Sequence, residues 1–394
     1  MWTLERPING DLGGQAISPT ETLYEYDGPM IFRTKLGLVD LLCNKVSVRE
    51  GRHLYLACST NDRTVDALKN GRLSVFGAFD AASYWILSLD ESLAVLGYWN
   101  CEREEVPTRF FAKPGLGLYH WQGKVPDSLE QASAMLAIKF KGPQLTHEGM
   151  PFGKFKDLMD QSFDAVRKLL TPVALLNRRT STFDFEIAPP KFASLVIAVK
   201  EPVFNMAQIR RTKELKKYTR DELEKAVEHL GQEFAERIIE LRTLAYEDKI
   251  DGKYAEENFS FLDILSEILP ELDGDIDSVE FTAFGKDGVE TALFDQKVSS
   301  EIKQKLAIAQ ANTVVEHGVI VGITSGSATL LVKSVRGKIV TCKFEREYFN
   351  DLLQSDEFKI PRPVLLRGAM FKRPRRDYMD VETVEFINPE RLRD

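Results

Sequence analysis

Short β-favouring runs alternate with turn residues over the first third of the chain. The runs lie at 30–36, 38–44, 53–59, 84–90 and 92–99. Thr60 or Asn61 can cap a short helix between the third and fourth runs. This pattern predicts a mixed α+β domain over residues 23–126. An arm with little apolar periodicity precedes it over residues 1–22.

The middle of the chain, residues 127–270, has the three- and four-residue spacing of amphipathic helices. One such helix is predicted over 151–170. A longer one begins at Thr219, which forms an S/T-x-x-E capping box with Glu222. Its apolar stripe consists of Leu223, Val227, Leu230, Phe234, Ile238 and Leu241. The stripe needs a partner, which is either a helix of the same chain or the interface with a second protein chain.

Residues 271–394 contain a different pattern. Five short strands with one intervening helix follow residue 312. Strands of this number and length predict a small β-barrel-like domain of the OB or SH3 kind. The fold class expected for the whole chain is therefore α+β, with a mixed amino-terminal domain, a helix-rich middle domain and a barrel-like carboxy-terminal domain.

The composition is that of a folded globular protein, since 43% of the 394 residues are hydrophobic and 28% are charged. The longest apolar run, 192–199, is far shorter than the ~18 to 20 residues that cross a bilayer. Glu5 and Arg6 interrupt the start of the chain, where a secretion signal needs apolar residues. We therefore expect a cytoplasmic protein with no membrane contact.

The residue types that commonly bind metals and cofactors are scattered along the sequence. Four cysteines occur without a CxxC pair, and five histidines occur without a metal-binding spacing. Phosphate-cradling and nucleophile motifs are also missing from the sequence. We predict no cofactor, no metal and no catalytic residue, which favours a binding protein over an enzyme. A catalytic site assembled from distant residues stays open.

A metal-dependent nuclease is the enzymatic alternative. It needs two carboxylates and a lysine on adjacent strands, and Asp184, Glu186 and Lys200 lie on a predicted strand pair. Glu201 follows Lys200 directly, so the two side chains would point to opposite faces of their strand. This geometry weakens the nuclease hypothesis.

A basic segment stands out near the carboxy terminus of a chain whose net charge is -8. Residues 359–376 contain seven cations and no carboxylate. The candidate binding residues are Arg367, Phe371, Lys372, Arg373, Arg375, Arg376 and Tyr378. The cations would contact either nucleic-acid phosphates, with the aromatic rings as stacking surfaces, or an acidic protein. The remaining interpretation is a solvated hairpin tip whose charges prevent aggregation at an edge strand.

The segments LYEYDGPMIFRTKLG and YLACSTNDRTVDALKNGRLSVFGAF carry a resemblance. Over roughly its first 130 residues the chain resembles the amino-terminal unit of a functionally uncharacterised prokaryotic protein family. The resemblance implies a bacterial source and transfers no activity and no site residue. Families of this sort often occur as accessory proteins in anti-phage systems, which suggests a role in defence.

The favoured function is therefore a non-enzymatic adaptor or recognition subunit that binds another macromolecule. A protein partner is expected, and self-association is an open possibility. The first alternative is a nucleic-acid-binding protein that acts through the basic carboxy-terminal hairpin. The nuclease is the second.

Overall fold

Strands and helices occur along the whole chain, which confirms the α+β class. The computed structural model describes residues 2–49, 51–119, 124–145, 149–176, 182–188, 195–211, 215–285, 288–355, 358 and 360–387. The chain divides into two compact units, Met1–Ser133 and Ala134–Asp394. Among the described residues, none of the helices combines the length and apolar composition that crossing a membrane requires.

The amino-terminal unit is built on a six-stranded antiparallel meander in the order β1 to β6. Its strands are β1 Glu21–Glu25, β2 Pro29–Leu36, β3 Val39–Arg49, β4 Arg52–Ser59, β5 Ser83–Leu89 and β6 Val95–Glu102. The helices are α1 Asp62–Lys69, α2 Val75–Ala78 and α3 Leu129–Ala132. Asn61, one of the two capping residues that the sequence left open, caps α1 by accepting a hydrogen bond from the Thr64 amide. The short strand β1 was not predicted.

The amino-terminal arm belongs to this unit. The backbone amide of Asn9 donates to the Tyr98 carbonyl, and the Tyr98 amide donates to the Gly10 carbonyl. These bonds cover the outer edge of β6, which would otherwise be open to strand addition. Trp2 is buried against Trp99, with ring centres 5.3 Å apart. The arm therefore contributes to the core, although its sequence lacks apolar periodicity.

The carboxy-terminal unit contains a five-stranded antiparallel sheet in the order β11-β10-β7-β9-β8. These strands are β7 Leu136–Lys141, β8 Phe183–Ile187, β9 Leu195–Phe204, β10 Ser278–Gly285 and β11 Gly288–Asp295. Strands from the predicted middle domain thus share one sheet with strands from beyond residue 270. Residue 270, where the sequence placed a domain boundary, therefore lies between strands that pair in one sheet. The sequence could not show this, because local spacing does not reveal which strands pair.

Seven helices are described in the same unit. They are α4 Phe152–Leu170, α5 Met206–Ile209, α6 Arg220–Tyr246, α7 Gly252–Glu257, α8 Phe259–Ser266, α9 Gln296–Gln310 and α10 Arg346–Gln354. The capping box at the start of α6 is confirmed, since Thr219 accepts from the Glu222 amide and Glu222 accepts from the Thr219 amide. Helix α9 is capped by Asp295, which accepts a hydrogen bond from the Val298 amide.

The apolar stripe of α6 is covered by the chain itself, which agrees with the first of the two partners that the sequence left open, a helix of the same chain, and not with an interface to a second chain. Leu223, Val227, Phe234, Ile238 and Leu241 are buried, and Leu230 packs partly buried against the same core. The ring of Phe234 lies 5.9 Å from Phe281 of β10 and 6.1 Å from Phe261 of α8. A stripe of this period serves a sheet as well as a second helix, so the sequence could not identify β10 as a further partner.

A closed five-stranded barrel follows, as predicted. Its strands are β12 Thr313–Thr324, β13 Thr329–Ser334, β14 Ile339–Lys343, β15 Arg362–Phe371 and β16 Asp377–Phe386, in the order β12-β13-β14-β16-β15. Helix α10 lies between β14 and β15, and β14 pairs with β16 in parallel. Gly368 lies at a β-bulge, where an added Cβ would be 2.0 Å from the Asp380 carbonyl oxygen. Only glycine permits this approach of the two strands.

Candidate functional site

The basic candidate residues lie at one end of the barrel. Strands β15 and β16 form a hairpin, and Lys372–Arg376 connect them. We call these five residues the basic tip. Phe371 ends β15 and lies directly opposite Tyr378 of β16. The structure therefore brings the predicted cations and both predicted aromatic residues to one hairpin.

Tyr378 and Phe371 continue a row of side chains across four neighbouring strands. Leu331 of β13 lies opposite Thr341 of β14, Thr341 lies opposite Tyr378, and Tyr378 lies opposite Phe371. Side chains directly opposite each other on adjacent strands share one face of a sheet. We call these four residues the outer row.

The outer row faces away from the barrel interior. Its four members are partly or largely exposed, and 48% of Phe371 is accessible. Their neighbours along the strands are buried and fill the interior, namely Leu330, Val332, Val340, Cys342, Met370, Asp377 and Met379. With strands ~4.8 Å apart, four strands present a row about 14 Å long.

The aromatic end of the outer row is in contact with the basic tip. The ring centres of Phe371 and Tyr378 are 6.3 Å apart, and the planes are tilted by 53°. The Arg373 guanidinium carbon lies 5.7 Å from the centre of the Tyr378 ring. This distance is within the range of a cation–π contact, which holds a positive charge beside the ring.

Arg375 and Arg376 are exposed at the end of the basic tip. Among the residues that the structure describes, neither forms an ion pair with a carboxylate within 4.0 Å. Lys343 is exposed on β14, two residues beyond Thr341, and Asp380 lies opposite it in the register. Exposed cations therefore flank the outer row, with Asp380 as a neighbouring carboxylate.

Two other predicted cations, Lys372 and Arg367, contact carboxylates of the helices beside the barrel. Lys372 donates a short hydrogen bond to the Asp263 Oδ1 of α8, and its Nζ lies 5.5 Å from the centre of the Phe259 ring. A guanidinium nitrogen of Arg367 is 4.0 Å from the Glu257 carboxylate. The cations that the sequence grouped together thus divide into Lys372 and Arg367, which pair with carboxylates of α8 and α7, and Arg375 and Arg376, which do not pair among the described residues.

A buried ion cluster, formed by Arg336, Glu316, Asp263 and Asp377, lies beneath the basic tip. All four residues are buried, and Glu316 and Asp377 have no accessible surface. Arg336 donates to Glu316 from Nε at 2.8 Å and to Asp263 at 2.9 Å, and its Nη2 is 2.9 Å from Asp377. Ser334 donates to Glu316 at 2.5 Å.

Neighbouring charges shift the pKa values of two cluster members, Arg336 and Asp263. Burial acts to lower the pKa of Arg336, but the charges and hydrogen bonds of Glu316 and Asp263 outweigh it, and the pKa is raised. Burial acts to raise the pKa of Asp263, but Arg336 and Lys372 hold it below its usual value. Arg336 and Asp263 are therefore held in their charged forms at neutral pH.

A shallow pocket of about 210 Å³ opens beside the buried ion cluster. It is lined by Asp263, Ser266, Lys303, Leu306, Ala307, Gln310 and Lys372. Lys303 donates to the Leu269 carbonyl at 3.0 Å, and burial lowers the pKa of this lysine. Residues from the last turns of α8 and α9 line the same pocket.

The residues of the nuclease hypothesis form separate ion pairs. Asp184 accepts from Arg167 at 3.1 Å, and Glu186 accepts from Lys200 at 3.3 Å. Within the described ranges, no group of three or more His, Cys, Asp or Glu side chains is arranged to hold a metal ion. All four cysteines are buried and unbridged. The structure does not bring Asp184, Glu186 and Lys200 together as a metal site.

Sequence reasoning missed the buried ion cluster. Arg336 and Asp263 are 73 positions apart, and no spacing rule connects them. Glu316 interrupts an otherwise apolar strand, VVEHGVIV, which is the one signal that a charge is buried there.

Comparison of the chain with protein-family models, with curated proteins and with solved structures finds no match.

Proposed function

We propose that the carboxy-terminal barrel binds single-stranded nucleic acid along the outer row, with phosphates contacted by the basic tip. The observation that carries the proposal is the outer row itself, which places Tyr378 and Phe371 on an exposed face next to Arg373, Arg375 and Arg376. Single-strand binders combine stacking platforms with cations that follow the phosphate backbone.

The aromatic residues favour a single strand over a duplex. Bases can stack on a protein ring only where they are not stacked within a double helix. Tyr378 and Phe371 offer ring surface at the end of a row whose other members, Leu331 and Thr341, are uncharged. A row of this chemistry suits the apolar faces of bases, while the cations lie at its margin.

The topology of the barrel supports the same proposal. Counting its strands from β12 gives the order 1-2-3-5-4, with a helix between the third and fourth strands. This order is typical of the OB fold, so we propose an OB-like identity and not an SH3-like one. OB barrels bind oligonucleotides on the second and third strands and through the loop between the fourth and fifth. Here that loop is the basic tip.

The distribution of charge along the chain also supports nucleic-acid binding by the barrel. Residues 313–394 contain 14 Lys and Arg against 12 Asp and Glu, whereas the whole chain has 52 against 60. The acidic excess therefore lies outside the barrel segment, so the net charge of -8 does not describe the proposed surface.

This proposal places the protein in the class expected from its sequence, a non-enzymatic recognition protein whose partner is a macromolecule. It makes nucleic acid the partner in preference to an acidic protein, because exposed rings beside cations are the combination that single-strand binders use. The role in bacterial defence stays a proposal that rests on the amino-terminal resemblance.

The experiment compares the parent with the double variant Arg375→Ser/Arg376→Ser. Binding of a fluorescein-labelled oligothymidylate is measured by anisotropy over a series of salt concentrations. The parent should bind, with an affinity that falls as salt rises. The variant should bind more weakly, with a log–log salt slope flatter by about 0.7 for each lost phosphate contact.

The matched control is Arg63→Ser/Lys225→Ser, which removes two exposed cations outside the barrel. It should bind like the parent, because the loss of two charges elsewhere leaves the proposed contacts intact. A parent that binds no oligonucleotide at low salt would show the proposal to be wrong. Equal weakening by the control would mean that binding is non-specific. Retention of an acidic protein instead, after nuclease treatment, would favour the protein-partner alternative.

A further inference from the structure

We propose that Lys372 and Arg336 are positioning residues, which fix the two ends of the basic tip so that Arg375 and Arg376 are presented in place. Lys372 then makes no contact with the bound strand, although it is one of the cations in the tip. This inference rests on the proposed function, because it states how the same site reaches its binding geometry.

The amino-terminal end of the tip is held through Lys372. Its ammonium group donates to Asp263 of α8 and lies over the face of Phe259. Both partners are buried, so the lysine extends inward from an exposed hairpin. A lysine in this position has its charge already matched, which leaves it little attraction for a phosphate.

The carboxy-terminal end of the tip is held through Asp377, the first residue of β16. Its carboxylate accepts from the Arg373 backbone amide at 3.2 Å and lies 2.9 Å from a guanidinium nitrogen of Arg336. Asp377 is fully buried. The hydrogen bond from Arg373 closes the tip on itself.

Arg336 joins the two ends. One of its terminal nitrogens bonds Asp263, which holds Lys372, and the other is paired with Asp377. Glu316 fixes the guanidinium from a third side at 2.6 and 2.8 Å. Arginine presents its donors in a rigid planar fork, so a single side chain can keep two carboxylates at a set separation.

Stability of the fold alone does not account for the buried ion cluster. Burying four charged groups costs desolvation free energy, and a buried ion cluster often stabilises no more than apolar residues would. A fixed tip, however, avoids an ordering cost on binding, since fixing the backbone of one residue changes a binding constant by about tenfold. We therefore assign to the buried ion cluster the role of holding the basic tip in its binding conformation.

The test separates positioning from phosphate contact by the salt slope. Lys372→Met keeps an apolar stem beside Phe259 but removes the charge, and Arg375→Met removes a proposed contact. We expect Lys372→Met to lose about tenfold in oligothymidylate affinity with the salt slope of the parent. Arg375→Met should lose affinity with a slope flatter by about 0.7. Lys372→Arg should restore affinity by pairing with Asp263 again.

A second readout does not depend on nucleic acid. Trypsin can cut after Arg375, whereas the bond between Arg373 and Pro374 resists it. The rate of cutting after Arg375, followed by mass spectrometry, should rise about tenfold in Lys372→Met and in Arg336→Lys. A lysine at residue 336 keeps the positive charge but lacks the fork that joins Asp263 and Asp377.

Two outcomes would overturn the inference. If Lys372→Met flattens the salt slope as much as Arg375→Met does, Lys372 contacts the strand. If it changes neither the affinity nor the tryptic rate, it positions nothing. A parent that binds no oligonucleotide rejects the proposed function, while the tryptic rates still decide whether Lys372 and Arg336 hold the tip. Thermal unfolding of each variant confirms that the barrel stays folded.

Discussion

Tyr378 lies directly opposite Phe371 at the end of the barrel hairpin, and both rings face outward. Their centres are 6.3 Å apart, and Arg373 covers part of the tyrosine ring. The two aromatic residues are also paired, through the backbone ladder, with strands whose inner side chains are buried. The rings are therefore held on a rigid sheet beside a loop that carries the charges.

Removal of the tyrosine ring should weaken binding without changing its salt dependence. Tyr378→Ala is expected to cost about 1 to 3 kcal/mol in the binding of a single strand, the usual value for one stacked base. Tyr378→Phe should bind like the parent, because a base stacks on either ring. Anisotropy titrations at several salt concentrations measure both quantities.

Phe152→Ala is the matched control for the tyrosine variant, since Phe152 is a phenylalanine outside the barrel with 79% of its surface accessible. It should leave binding unchanged. Equal binding by Tyr378→Ala and the parent would mean that the outer row is not a stacking surface.

The stripe of α6 should behave as core. Phe234→Ala removes a ring that packs between Phe261 and Phe281, and we expect it to lower the free energy of unfolding by about 3 to 5 kcal/mol. Urea unfolding measures this loss, with Phe152→Ala again as the control. A folded Phe234→Ala protein of unchanged stability but lower mass in solution would instead identify the stripe as a contact between chains.

The boundary between the two compact units, after Ser133, predicts which fragments of the chain fold on their own. A fragment of residues 134–394 should be soluble and unfold cooperatively, because it contains the whole five-stranded sheet and the barrel. A fragment that starts at residue 272 should aggregate, since it exposes the edge of β10 and the apolar side chains of Val279 and Phe281. Gel filtration and thermal unfolding distinguish them. Cooperative unfolding of the shorter fragment would restore the boundary near residue 270.

His317 gives the stability a pH dependence near neutrality. Burial and, after it, the charge of Arg237 lower the pKa of His317 below its usual 6.5, while Glu233 on α6 opposes the shift. A histidine with a lowered pKa in the folded state binds its proton more readily when unfolded. The free energy of unfolding should therefore fall as the pH falls below about 6.5.

The measurement is urea unfolding of the parent and of His317→Gln from about pH 8 to about pH 5. The variant should lose less stability over this range, because glutamine does not titrate. Parallel profiles for the two proteins would show that other groups account for the dependence.

The local elements could be predicted from neighbouring residues alone. The capping box of Thr219 and Glu222 specifies where α6 begins, since both hydrogen bonds lie within four residues. Asn61 specifies the start of α1 in the same way. The basic tip was also recognisable, because its cations are consecutive apart from Pro374. Such features depend on bonds that form within one turn of chain.

Only the tertiary structure decided which distant residues meet. The pairing of β7 with β10 joins residues 136–141 with 278–283, and apolar spacing cannot select one partner among several strands. The outer row required the register of four strands before Leu331, Thr341, Tyr378 and Phe371 could share a face. Arg336 likewise reaches Asp263 and Asp377 because packing brings α8 to the barrel. Long-range contacts of this kind follow from the burial of a shared core in the carboxy-terminal unit, to which residues far apart in the sequence contribute.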